Sequence, residues 1–108
     1  LPGVQCRVQA ATPESSKFAG ERCSGVKLAI DRSADAVEVA VVLMSLIARN
    51  HPADFAILPG QPPFFDRLAG TTRLRTALQA GESPASIIAE WQPALAAYRR
   101  SRRTLLLY

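Results

Sequence analysis

Hydrophobic and polar residues alternate at the start of the chain. Val4, Cys6 and Val8 are separated by Gln5, Arg7 and Gln9, the period of a strand with one face buried. The same period returns where Val26, Leu28 and Ile30 flank Lys27 and Ala29, predicting a second strand. Between them, residues 11–22 form a polar loop containing Pro13, Ser15, Ser16 and Gly20. The period then lengthens. Val39, Val42, Leu43, Leu46 and Ile47 fall at helical spacing behind a Ser33 or Asp35 cap, and His51-Pro52 ends that helix. Phe55, Ile57 and Leu58 predict a short third strand before the proline-rich loop 59–63.

The second half reads as helical. Leu74, Ala77 and Leu78 share one face of a helix over residues 72–80, and Ile87, Ile88 and Trp91 do so over 84–91. Pro93 predicts a break, after which Leu95 and Tyr98 point inward from a helix over 94–103. Residues 105–108 are too apolar for a free tail and predict a buried final strand. The punctuation agrees with these boundaries. Gly70 releases the chain from a turn and Thr71 can cap the next helix with its hydroxyl; Gly81 ends that helix, and Ser83-Pro84 supplies a cap and a first-position proline for another. Strands and helices in this order predict an α/β fold: a single two-layer domain with a small mixed sheet packed by helices.

Composition narrows the reading. With 108 residues, 48% hydrophobic and 20% charged, the chain suits one folded domain and not a disordered segment. It opens on Leu1, not Met, which reads as a fragment or processed product, and no basic segment precedes an apolar run as in a signal peptide. The longest apolar run, residues 39–48, is interrupted by Ser45 and has about half the ~20 residues a bilayer span needs, so no membrane span is expected. The compartment stays open, extracytoplasmic or cytoplasmic. The net charge of +4 owes much to Arg99, Arg100, Arg102 and Arg103, four cations in five residues. They suit either a solvated helix end or a surface for an anionic partner.

The chemistry-bearing residues exclude more than they assign. His51 is the single histidine and has no companion at metal-ligand spacing, so no metal and no Ser-His-Asp or Cys-His site is expected. No glycine-rich phosphate loop is present, and no cofactor is expected. Glycoside hydrolysis needs two facing carboxyl groups, and nothing in the sequence pairs Glu14, Glu21 or Asp66. Cys6 and Cys23 could form a bridge or stay free, because sequence does not give their separation.

Two blocks carry a resemblance. Phe65, Asp66, Leu68, Gly70 and Thr71 are followed by Leu74-Arg75, then by Gly81, Pro84, Ile87, Trp91 and Leu95, and finally by Arg102 and Leu106-Leu107-Tyr108. Upstream, Lys17-Phe18, Gly20-Glu21, Cys23 and Gly25-Val26 form the second block. The pattern resembles the C-terminal domain of the bacterial exo-β-N-acetylmuramidases of the NamZ type. It weakens over residues 29–64, where the helix start at Ala36-Val37-Glu38 lacks the aromatic and proline of the family, and Leu105 stands where an aromatic is frequent. A cysteine is common in the family at the Cys23 position and unusual at that of Cys6.

The resemblance implies that residues 1–108 are a C-terminal accessory domain of a larger two-domain protein, whose Rossmann-like N-terminal domain carries the catalytic carboxylate. The accessory domain would pack on that domain and form one wall of the cleft for a muramyl saccharide from peptidoglycan, with no catalytic residue of its own. The residues themselves suggest where the contacts lie. The loop from Lys17 to Glu21 and the turn from Asp66 to Thr71 are polar, glycine-containing segments at the ends of elements, expected close together on that wall. Lys17 would meet the lactyl carboxylate, and Glu21 or Asp66 would accept sugar hydroxyls. Each has a local alternative. Glu21 can pair with Lys17 or Arg22, Asp66 can accept backbone amides of its turn, and Thr71 can cap a helix. Two other functions remain as alternatives. The helices flanking Gly81-Glu82-Ser83 could mimic a basic helix-turn-helix that binds nucleic acid, although Glu82 and Glu90 would then face the phosphates. A docking or oligomerisation domain without ligand contact is the third. The resemblance favours a protein and saccharide partner, not nucleic acid.

Overall fold

The N-terminal alternation closes into a hairpin. In the computed structural model, which describes residues 1–107, β1 (Val4–Ala11) pairs antiparallel with β2 (Cys23–Ile30). The register sets Val4 opposite Ile30, Cys6 opposite Leu28 and Val8 opposite Val26. Because side chains alternate across a sheet, these residues share an apolar face, while Gln5, Arg7, Gln9 and Lys27 share the other. The hairpin belongs to a compact unit spanning Leu1–Ala36; a second unit begins at Val37. At the base of the hairpin, Gly3 adopts φ 73°, and a side chain there would come within 2.5 Å of both Asp31 and Ser33. Asp31 donates its N–H to the Gly3 carbonyl at 2.9 Å, which closes the ribbon.

The pairing also answers the cysteine question. Cys6 lies opposite Leu28 and Cys23 opposite Ala11, so the two sit five register steps apart, about 17 Å, on opposite faces. A disulfide needs Cα atoms within roughly 7 Å. Both thiols are free, Cys6 exposed and Cys23 half-buried.

The second unit is helical: α1 (Ala36–Asn50), α2 (Phe64–Ala69), α3 (Arg73–Gln79) and α4 (Pro84–Arg102). Val41, Ala77, Leu78 and Ile87 form its buried core, with Met44, Phe55, Phe65, Leu74, Ile88 and Trp91 packed around them. Burial of side chains the size of Val41 or Ile87 stabilises the unit by about 1.5–3 kcal/mol each. Ser45, which interrupts the apolar run in the sequence, is fully buried and donates its hydroxyl to the Glu82 carbonyl at 3.1 Å. It ties α1 to the α3–α4 turn.

That turn follows its sequence signals. Gly81 takes φ 72°, its N–H reaches the Leu78 carbonyl and the Glu82 N–H reaches that of Ala77, the paired bonds of a Schellman ending. Ser83 accepts the Ser86 N–H at 3.2 Å and Pro84 opens α4.

The fold class is α/β as expected, but its sheet is a two-stranded antiparallel one where a mixed sheet was expected. Residues 55–58 form no strand; Phe55 and Ile57 are half-buried, and Leu58 is exposed. Nor do residues 105–107. The Leu105 and Leu106 N–H groups both reach back to the Arg102 carbonyl in a turn, and Leu107 is 99% exposed. Tyr108, the remainder of that expected strand, lies outside the described residues. Pro93 does not break α4. Pro93 and Ala89, whose carbonyl loses its N–H partner to the proline, are both exposed, so water can take that position. On α1 the buried positions are Val39, Val41 and Ser45, whereas Leu46 and Ile47 are exposed.

Candidate functional site

The loop between β1 and β2 is built by backbone bonds. The Gly20 N–H donates to Pro13 at 2.9 Å, Ala19 to Ser16 at 3.2 Å and Glu21 to Phe18 at 3.1 Å, with Gly20 at φ 80°. This leaves the Lys17 and Glu21 side chains exposed. The Lys17 ammonium stands 5.3 Å from the centre of the Phe18 ring, a cation–π contact at a wet surface. Cys23 donates its thiol to the Glu21 carbonyl at 3.6 Å, anchoring the loop to the start of β2.

Asp66 and Thr71 sit in the second unit, on α2 and on the turn after it. Asp66 is 6% exposed. Its carboxylate accepts the Arg75 Nε–H through both oxygens, each at 3.0 Å, which raises the Arg75 pKa above its ordinary value. The Asp66 carbonyl accepts the Gly70 N–H at 2.9 Å, with Gly70 at φ 75°. Thr71 is exposed, and its hydroxyl accepts the Arg73 N–H at 3.1 Å where α3 begins.

A second ionic cluster was not legible as a site. Arg73 donates from Nη2 to Glu82 at 2.8 Å and from Nε to Glu90 at 2.8 Å, joining α3, the turn and α4. The bonds to Glu90, and then those to Glu82, raise the guanidinium pKa far beyond the titratable range. The available signal was spacing: Arg73 in the first turn of α3, with Glu82 just beyond Gly81 and Glu90 two turns into α4. With both carboxylates on this junction, the side offered to a nucleic-acid backbone would be partly acidic.

Beside Arg73 opens a cleft of about 470 Å³. Val41, Ala77 and Ile87 floor it, Leu68, Leu74 and Trp91 wall it, and Thr71, Arg73 and Glu90 rim it. Trp91 is half-buried against the core, so one part of its surface packs and another lines the cleft. Such a cleft can take an apolar group or sugar face, with charged and hydroxyl groups at its mouth. Among the described residues, no helix is long and apolar enough to cross a membrane, and no three metal-ligating side chains are grouped.

Fold and cleft together define a small α/β domain whose polar groups serve turns, ion pairs and a cleft rim. Over residues 1–108 it matches the family described as Exo-beta-N-acetylmuramidase NamZ, C-terminal, and the chain belongs to that family. It is 34% identical over 110 residues to the peptidoglycan beta-N-acetylmuramidase NamZ of Bacillus subtilis (strain 168), an alignment covering 100% of this chain and 26% of that relative. The chain therefore spans about a quarter of the length of the curated relative it matches. No solved structure matches it significantly.

Proposed function

We propose that this chain is the accessory domain of a peptidoglycan exo-β-N-acetylmuramidase, packing on an N-terminal catalytic domain and forming one wall of the muramic-acid cleft. The observation that carries the reading is the full-length match to a relative nearly four times as long, named for action on peptidoglycan. The side chains support the division of labour. Asp66, Glu82 and Glu90 are engaged by arginines, leaving no facing pair of free carboxylates from these three to act as acid and nucleophile.

In this reading the exposed Lys17 meets the lactyl carboxylate as a flexible point charge, Glu21 accepts from sugar hydroxyls, and the Thr71 hydroxyl lies beside them. Asp66 fixes its turn through Arg75 and retains lone pairs beyond those two bonds for a hydroxyl.

The test is Lys17→Ala in the full-length enzyme. KM for muramides rises several-fold with kcat and melting temperature nearly unchanged, because binding common to ground and transition states is removed. A variant that only melts earlier, with unaltered kinetics at low temperature, makes the loop structural and sinks the assignment.

A further inference from the structure

The register of the hairpin places two cations side by side. Arg7 is directly opposite Lys27, both are exposed, and neither forms an ion pair among the described residues. Like charges in directly opposed positions destabilise a strand pair, so this arrangement works against the hairpin that carries it. Their face contains no carboxylate at any of its eight strand positions: Gln5, Arg7, Gln9 and Ala11 stand opposite Ala29, Lys27, Gly25 and Cys23. The two glutamines flank the cations, adding neutral amide donors.

Shallow grooves run along these strands. One of about 340 Å³ is lined by Gln5, Arg7, Val8, Gln9, Lys27 and Ala29. A second, more open, of about 370 Å³, continues past Gln9 and Lys27 over Gly25, Ala11 and Cys23 and is also lined by Ser24 and Val26. Small residues thus floor one end and cations edge the other. At Gly25 a side chain would meet only the Gln9 carbonyl, at 3.9 Å, so the glycine holds open a floor that a larger residue would fill.

We infer that this trough is an anion site for a carboxylate carried on a sugar or short peptide, with Arg7 and Lys27 binding the carboxylate and the small-residue floor receiving the attached group. Arg7 supplies a planar fork and Lys27 a mobile point charge, a pairing suited to a two-oxygen anion. The site is separate from the Lys17 loop. It rests on the muramidase reading only for the choice of probe, since the anion chemistry follows from the hairpin itself.

The experiment is an amide-resolved NMR titration of the full chain with three probes: N-acetylmuramic acid, N-acetylglucosamine, which lacks the carboxylate, and D-alanyl-D-alanine, which carries a carboxylate without a sugar. Saturable shifts at Arg7, Gln9 and Lys27 are expected with one or both carboxylates and not with N-acetylglucosamine; the tighter of the two identifies the source. Arg7→Gln with Lys27→Gln weakens that binding about tenfold or more while raising the melting temperature, because the repulsion is relieved along with the ligand. If the double variant does not fold, Lys27→Gln alone must still lower the affinity. Absence of shifts on this face, equal shifts with N-acetylglucosamine, or variants that melt earlier with unchanged affinity would overturn the inference. Shifts confined to residues 17–21 or 66–71 would also overturn it, while leaving the proposed cleft wall intact.

Discussion

Asp66 shows how one residue can look polar in sequence and act as structure. Its backbone accepts Gly70 at the end of α2 and its side chain holds Arg75, so the local role expected for an aspartate before a glycine turn is joined by a longer link. Replacing Asp66 with Ala leaves the Arg75 guanidinium without its partner and destabilises the α2–α3 junction, read as a lower urea midpoint. Asp66→Asn, which keeps shape and acceptor oxygen but loses the charge, falls between. At the hairpin base, Asp31 accepts the Ser33 hydroxyl at 2.6 Å and its N–H at 2.7 Å, and these bonds hold its carboxyl below the ordinary 3.8. A lowered folded pKa means that the contribution is complete above the ordinary value and disappears as pH falls through the lowered one. Carboxyl NMR titration of Asp31 should therefore give a midpoint below 3.8, moved upward by Ser33→Ala but not fully back to the ordinary value, because the backbone N–H of residue 33 still donates to the carboxylate.

At the scale of elements, the hairpin, the α3–α4 turn and the start of α4 were legible because each is written in local chemistry: alternation, a glycine at positive φ, and serine before proline. Ser83→Ala accordingly removes about 1 kcal/mol, measured by thermal or urea unfolding. The failures share a different cause. Residues 55–58 and 105–107 are apolar enough for strands, yet a strand forms only beside a partner, and pairing is not written in the run itself. Pro93 reads as a stop because proline costs the helix a bond, whereas exposure of the affected turn makes that loss tolerable. The Arg73 cluster was missed because its three members lie on separate elements, and only the turn at Gly81 brings them together.

At the scale of the whole molecule, the ordered polar groups of the helical unit hold α2, α3 and α4 in place. Their spacing along the chain has a kinetic consequence. Arg75 meets Asp66 across nine residues, Arg73 meets Glu82 across nine and Glu90 across seventeen, whereas Ser45 meets Glu82 only across thirty-seven. Closing a short loop loses less chain entropy than closing a long one, so α2 to α4 can assemble before α1 is recruited. In native-state hydrogen exchange, amides of α3 and the first half of α4 should open last, and those of α1 should exchange through a lower-energy opening. Equal protection throughout the helices would mean that they form together. In the expected order, the Ser45 hydroxyl bond is the latch that closes after the frame is built, and Ser45→Ala speeds unfolding while leaving the folding rate nearly unchanged.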